Sequence, residues 1–371
     1  MPRTAASSNR RPGELGYRMP AEWHPHAATQ LHWPSNRETW PGACLARVER
    51  VYGDILAALT PHEQVHLLAE NEAVRERAGK VLEDFAVDPT RITWHVRPIN
   101  DVWARDCGPI FVRREEAVDG DLPEWALTDW EYNAWGGKYP PWEDDNALPA
   151  WFARRFGIPR YAPGMVLEGG SIEVNGEGAL LTTESVLLNP NRNPALDRGQ
   201  IEDRLRAYLG ADHVIWLKEG LTGDDTDGHI DDLARFLAPD TVLAVTAPPG
   251  DVNHAALAEN LEILRSATLP GGRSLRIETL PLPETRIEGT TVDGSAYVPA
   301  SYANFYVASG VVLVPLYDTR RDGEALELIG SHFPDREVDG ISCADLVWGQ
   351  GSIHCVTQQL YGLPSGHSPK H

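Results

Sequence analysis

Only four cysteines, Cys44, Cys107, Cys343 and Cys355, occur in 371 residues, and no two of them form a CxxC pair. That scarcity excludes a disulfide framework and a thiolate zinc site, and it leaves four free thiols, each either core filler or a nucleophile. Long apolar runs are also missing. The strongest, ASGVVLVPLYD at residues 308–318, contains Pro315 and Asp318 and falls short of the roughly 18–20 apolar residues that cross a bilayer, so no membrane span is expected. The opening MPRTAASSNRRPGELGYRMP carries arginines without an apolar core. It does not read as a secretory signal, and the cytoplasm is the expected setting. Positive charge is short as well, with Lys+Arg 33 against Asp+Glu 54 and a formal charge of −21. This opposes nonspecific binding to nucleic acid or anionic membrane and suits a cationic ligand, although acidity also serves simply to keep proteins apart in solution.

What is present is α and β in alternation. β-rich runs recur along the whole chain, among them VHLLAE, ITWHV, IFVRR, SVLLN, HVIWL, LARFLA and TVLAVTA, and Asn175-Gly176-Glu177-Gly178 marks a hairpin turn between two of them. Apolar residues at three-to-four spacing predict helices over residues 43–59, 72–85, 196–209, 254–267 and 322–332. Five helices among strands suggest an internal repeat of about 60–70 residues. A doubly wound parallel sheet is conceivable, but no GxGxxG opens the first strand-to-helix turn, and the hairpins favour antiparallel pairs. No linker divides the chain. One domain over residues 17–361 is expected, with loose tails at 1–16 and 362–371.

Three segments hold residues suited to chemistry. TGDDTDGHIDD, residues 222–232, sets five acids around His229. Read as a strand, it places His229 and Asp231 on one face, where a carboxylate raises an imidazole's pKa and suits it to donate and then accept a proton. GQGSIHC ends on Cys355, and its glycines Gly349 and Gly351 let backbone approach a ligand closely; a nearby cation or imidazolium would activate the thiol. In Trp103-Ala104-Arg105-Asp106 an indole and a carboxylate match a flat delocalised cation. Asp106 and Asp231 could grip a guanidinium from both sides, or Arg105 could bind these acids in a structural ion network. Glu168 follows beside two glycines. A divalent metal on His229 and Asp231, with Asp225 and Glu168, is chemically tolerable but not favoured, and His24-Pro25-His26 has no evident third ligand.

In order, Met19-Pro20-Ala21-Glu22-Trp23, Trp33-Pro34, Trp103-Ala104-Arg105-Asp106, Asn133-Ala134-Trp135-Gly136-Gly137-Lys138, Glu168-Gly169-Gly170, Gly228-His229-Ile230-Asp231, Asn304-Phe305-Tyr306 and Gly351-Ser352-Ile353-His354-Cys355 resemble the agmatine deiminases. These belong to the guanidine-modifying, or pentein, superfamily that includes peptidyl-arginine deiminases. The resemblance spans nearly the whole chain, and the ordered set is far more specific than any one motif. It implies a five-bladed α/β propeller of ββαβ-type units around a central pocket. It also implies Cys355 as nucleophile, His229 as general acid and base, Asp106 and Asp231 as guanidinium carboxylates, and Glu168 as the acid that orients the histidine or the substrate. Trp103 would line the pocket with Gly351, and Asp225 would take a substrate nitrogen.

The implied reaction is deimination of agmatine to N-carbamoylputrescine and ammonia, a step toward putrescine and the polyamines. No cofactor or metal is implied. The partner is a small cationic guanidine, and a homodimer is allowed. Peptidyl-arginine, free arginine or another alkylguanidine are alternative substrates. A noncatalytic cation-binding protein is a further alternative, but it would need neither the thiol nor the proton shuttle. His24, His32, Gln350 and Ser352 depart from the family pattern without replacing any of these site residues.

Overall fold

The turn Asn175-Gly176-Glu177-Gly178 folds strand Glu173–Val174 back on Ala179–Thr183, with Glu173 opposite Leu181. Gly176 (φ 76°) and Gly178 (φ 97°) take the left-handed backbone that side chains resist. Asn175 Oδ1 accepts the N–H groups of Glu177 and Ala179, which completes the turn. The chain then runs through helix Arg198–Leu209 and returns as His213–Leu217, parallel to Ala179–Thr183. That helix begins where Asp197 caps the Gln200 N–H in a reciprocal capping box and stops at Gly210 in the left-handed region. Its buried Ile201, Leu205 and Leu209 fall four apart, so one face packs on the sheet.

The computed structural model describes residues 10–114, 122–289 and 291–363. Within them the same order, an antiparallel pair followed by a helix and a parallel return, occurs in five separate small sheets. Ile110–Arg114 and Trp125–Thr128 continue through helix Leu148–Phe156 to Arg160–Tyr161. Ala234–Ala238 and Thr241–Thr246 continue through helix His254–Ser266 to Arg276–Pro281. Tyr306–Val307 and Val311–Leu316 continue through helix Asp322–Ser331 to Glu337–Ser342. The fifth sheet joins the two ends of the chain. Gln358–Leu360 pairs antiparallel with Ala28–His32, which passes through helix Cys44–Leu59 to the parallel Gln64–Ala69. The fold is therefore mixed α/β, with apolar cores between helices and sheets.

Two sequence expectations need correction. SVLLN is not a strand: Glu184–Leu187 is a helical turn, in which Leu188 N–H bonds Glu184 O, and the adjoining sheet already has its three strands. The count of five helices matched the five units for the wrong reason. Glu72–Leu82 is an additional helix that adds a strand, Ile92–Val96, to the fifth sheet, whereas the repeat helix Leu148–Phe156 went unpredicted. It has only 9 residues and follows a stretch rich in proline and acid. Of the expected N-terminal tail, Pro12–Leu15 form a turn with Leu15 buried, and residues 1–9 lie outside the described residues. So do residues 364–371 of the C-terminal one. Among the described residues no helix is long and apolar enough to cross a membrane.

Candidate active site

The first, antiparallel strand of each unit is entered through a turn, and the five turns supply the site. Trp103 and Ala104–Cys107 precede Ile110–Arg114; Glu168 and Gly169–Ser171 precede Glu173–Val174; His229 and Ile230–Asp232 precede Ala234–Ala238. Asn304 precedes Tyr306–Val307, and Ile353–Val356, which carries Cys355, precedes Gln358–Leu360. The Ala104–Cys107 turn touches both Gly169–Ser171 and Ile353–Val356, and Gly169–Ser171 touches Ile230–Asp232. Residues distant in sequence therefore meet because they hold one position in successive repeats.

Gly170 lies at the centre. A Cβ there would stand 2.6 Å from His229 Nδ1, 2.8 Å from Asp106 Oδ1 and 3.1 Å from Asp231 Oδ2, so three side chains converge where this residue has none. The Gly170 N–H donates to Asp106 Oδ1 at 3.0 Å, and His229 Nδ1 lies 3.7 Å from the same oxygen. The Cys355 thiol donates to Asp231 Oδ2 at 3.6 Å, and Asn304 Nδ2 donates to the sulfur at 3.1 Å. Trp103 packs beside them: a Cβ on Gly351 would lie 2.4 Å from its ring and 3.0 Å from Cys355 Cβ, so the bare glycine permits that approach. Cys355, Asp106, Trp103 and Asp225 line one cavity of roughly 800 Å³. Both ring nitrogens of His229, Asp231 Oδ1 and Glu168 Oε2 are buried with no hydrogen-bond partner among the described residues. Buried polar atoms are ordinarily satisfied, so these four are open to a polar ligand.

The strand reading of Gly228-His229-Ile230-Asp231 is wrong in its local geometry. Residues Ile230–Asp232 make a 3-10 turn, whose curvature brings His229 and Asp231 to Gly170 while Ile230 enters the core. The five acids of that segment separate into different tasks. Asp224 accepts the His229 N–H at 3.1 Å and fixes its backbone, Asp227 pairs with Lys138 and Arg192, and Asp232 accepts from Asn304. Asp231 stands beside the thiol. Asp225 lies on the cavity wall, where it accepts from Tyr139 Oη and the Val292 N–H.

The electrostatics follow from burial among acids. Burial alone would lower the His229 pKa, but Asp106, Asp231, Glu168 and Asp224 hold it above its ordinary value. Burial pushes the Asp106 carboxyl up to about 6, with His229 opposing and Asp231 and Glu168 adding to the rise. The Cys355 thiol is pushed well above its usual range by burial and then by Asp231, Asp232 and Asp106. Asp231 stays below the usual carboxylate range: burial would raise it, but the bond and charge of His354, with His229 and Arg235, prevail.

Several residues that organise the site carried no role in the sequence reading. His354 bridges Asp231 Oδ2 (2.7 Å) and Glu22 Oε2 (2.8 Å). Glu22 in turn accepts from Arg105 at 3.1 Å and Arg235 at 2.9 Å. Arg105 therefore belongs to a structural ion network, yet its acid is Glu22, and Asp106 keeps a different set of partners. Arg192 donates to Glu168 Oε1 at 2.5 Å with both side chains fully buried. Trp135 Nε1 donates to Asp106 Oδ2 at 2.9 Å. Glu22, Asn304, Trp135 and His354 stand inside the motifs quoted above; Arg192, in a loop of asparagines and prolines, gave no signal.

Two other donor groups are committed elsewhere. His32, Cys107 and Asp145 bring ligand atoms within 4.8 Å of one another. However, His32 bonds Asp101 O and Gln30, Cys107 donates to Trp103 O, and both Asp145 oxygens accept backbone N–H groups. His62-Glu63-Gln64-Val65-His66 is an HExxH match, but its second half is a strand, and the pattern needs a helix to bring both histidines to one face. His66 instead stacks on His95, and Glu63 accepts from Thr29 and the Ser309 N–H.

A buried thiol beside a carboxylate, with an imidazole and a further carboxylate converging on Gly170, on five repeated α/β units, fits the class of guanidine-group deiminases. Residues 18–360 match the model of the Porphyromonas-type peptidyl-arginine deiminases, and the chain belongs to that family. An agmatine deiminase of Medicago truncatula is 38% identical, with 93% of this chain and 96% of that protein covered. The structure of the Enterococcus faecalis agmatine deiminase, described as catalyzing its reaction, is 30% identical with a TM-score of 0.85, covering 97% of this chain and 99% of that one. A C. jejuni agmatine deiminase with substrate bound is 26% identical with a TM-score of 0.80, covering 94% and 97%.

Proposed function

We propose that this chain hydrolyses agmatine to N-carbamoylputrescine and ammonia through a covalent intermediate on Cys355. The observation that carries the reading is that His229, Asp106 and Asp231 converge on Gly170 while the Cys355 thiol reaches Asp231 at 3.6 Å, with Cys355 and Asp106 lining one cavity. A guanidinium carbon is a poor electrophile because three nitrogens donate into it, so covalent catalysis by sulfur divides one hard step into two easier ones. Asp106 and Asp231 take the paired N–H donors of the planar cation and set its carbon against the sulfur. Burial and then the nearby carboxylates hold the thiol protonated; arrival of the cation offsets the carboxylates, so the thiol gives its proton to solvent, where the released ammonia takes it up, and the thiolate forms in the complex.

The steps balance without an external reagent. Sulfur adds to the carbon, His229 protonates one terminal nitrogen, and ammonia departs, leaving an S-alkylthiouronium. His229, now neutral, takes a proton from water; the water oxygen adds to the same carbon, and the thiol leaves with a proton to give the ureido product. Glu168, fixed by Arg192, orients the histidine; Trp103 and Gly351 flank the alkyl chain; Asp225 takes the substrate's far nitrogen. In this reading residues 17–361 are one domain, and the five units stand as blades of a propeller around the pocket. The repeated ββαβ order and the delivery of the site by five equivalent turns support that arrangement.

The test is ammonia release from agmatine, arginine, a peptidyl-arginine and guanidinobutyrate, with kcat/KM compared. Agmatine should be preferred. Preference for the peptide would overturn the substrate and keep the chemistry, and no ammonia from any of them would overturn both.

A further inference from the structure

Residues 133–138 form a turn of costly backbone. Ala134, Trp135, Gly136 and Gly137 take φ of 49°, 54°, 89° and 79°, four successive left-handed residues of which two bear side chains. Such a backbone persists only where its surroundings hold it. Gly136 admits no side chain, because a Cβ would stand 2.5 Å from Asn191 Cγ. Asn133 accepts the Gly136 N–H at 2.8 Å and donates to Asn191 O at 3.0 Å.

The turn grips the site at two places. Trp135 Nε1 donates to Asp106 Oδ2 at 2.9 Å, and its ring stands edge-on to Trp103 at 6.0 Å between centroids. Three residues on, Lys138 Nζ donates to Asp225 O at 2.6 Å and to Asp227 Oδ1 at 2.7 Å. The next residue, Tyr139, donates its hydroxyl to Asp225 Oδ2 at 2.5 Å. A single stretch thus holds two buried carboxylates that line the same cavity, Asp106 and Asp225.

We propose that residues 133–139 are a spacer that selects the length of the substrate, an ω-guanidinoalkylamine, by fixing the separation of Asp106 from Asp225. This rests on the reading of Asp106 as a guanidinium ligand and Asp225 as the ligand of the far nitrogen. A chain one methylene too short or too long gives up either the contact at Asp225 or the alignment of its guanidinium carbon on the sulfur. Trp135, Lys138 and Tyr139 are positioning residues, since they act through the two acids.

The experiment compares kcat/KM for agmatine, its homologues one methylene shorter and longer, and n-butylguanidine, which has no far cation. It uses the wild type, Tyr139→Phe and Lys138→Met. The wild type should prefer one length by about tenfold or more, the scale at which one methylene is discriminated. In both variants the preference should shrink to about threefold, and in Tyr139→Phe n-butylguanidine turnover should stay within about twofold of wild type. Tyr139→Phe removes one hydroxyl from a half-exposed ring, so a folding failure in Lys138→Met leaves the test intact. An undiminished length preference in Tyr139→Phe would overturn the spacer. So would a parallel loss on agmatine and n-butylguanidine, which marks a general structural role. If the wild type releases ammonia from no guanidine, the functional reading itself fails and takes the spacer with it.

Discussion

His354 Nδ1 lies 2.7 Å from Asp231 Oδ2, the oxygen that also receives the Cys355 thiol at 3.6 Å. One carboxylate oxygen is therefore tied to the network behind the site and the other, Oδ1, is left without a protein partner among the described residues. His354 is in turn held by Glu22, so the orientation of Asp231 is set by buried ionic contacts that never reach the cavity.

Replacing that imidazole should separate its positioning role from general instability. In His354→Gln, Asp231 loses its fixed direction, and kcat/KM should fall about a hundredfold, the usual cost of misplacing a group by an ångström. The sign of the pH effect follows from the depressed Asp231 carboxyl, which His354 helps hold down against burial. Without His354 that pKa rises toward that of Asp106, so a second carboxylate must be ionised and the acid limb of kcat/KM should become steeper. A limb of unchanged slope would show that His354 does not govern Asp231.

The wild-type acid limb should itself lie near pH 6. The Asp106 carboxyl, pushed up by burial to about 6, must be ionised to take the guanidinium, so binding weakens as pH falls through that value. Trp135→Phe removes a hydrogen bond that lowers this pKa, and the limb should move further up. A limb near pH 4 in the wild type would contradict the burial argument.

The thiol of the free enzyme should resist alkylation at neutral pH. Burial, with Asp231, Asp232 and Asp106 nearby, holds Cys355 well above the ordinary thiol value of 9.0. Inactivation by iodoacetamide in the absence of substrate should keep accelerating above that pH. A plateau below pH 8 would mean that the resting enzyme already carries a thiolate.

Arg192→Met tests the opposite kind of contact. Arg192 and Glu168 pair at 2.5 Å with neither side chain exposed, and removing one partner leaves a buried charge uncompensated. Stability measured by urea unfolding should fall by about 3–5 kcal/mol. A loss below about 1 kcal/mol, the scale of an exposed pair, would show that Glu168 finds another partner.

How much of this was legible beforehand depended on the range of the signal. Helix Arg198–Leu209 was readable because its apolar spacing and its Gly210 stop are local, and so was the hairpin at Asn175-Gly176-Glu177-Gly178. SVLLN misled because β-branched and aliphatic residues suit a strand only if an edge is free to receive them, which no local pattern reveals. Cys355, His229, Asp106 and Asp231 were named from motifs, but the convergence of the last three on Gly170, with the Cys355 thiol on Asp231, depends on repeat geometry spread across some 250 residues, from Asp106 to Cys355. The Glu22–His354–Asp231 chain was invisible for a related reason: a buried partner is defined by what folds against it. Arg192 looked like any surface arginine.

The central claim is that the Cys355 sulfur bonds the guanidinium carbon. The most direct measurement is intact-mass analysis of enzyme mixed with agmatine and acid-quenched within the first turnover, followed by peptide mapping. The account predicts a transient gain equal to agmatine less ammonia, carried by Cys355 and absent in Cys355→Ser. No such gain under conditions of active turnover, or the same gain on Cys107, would contradict it.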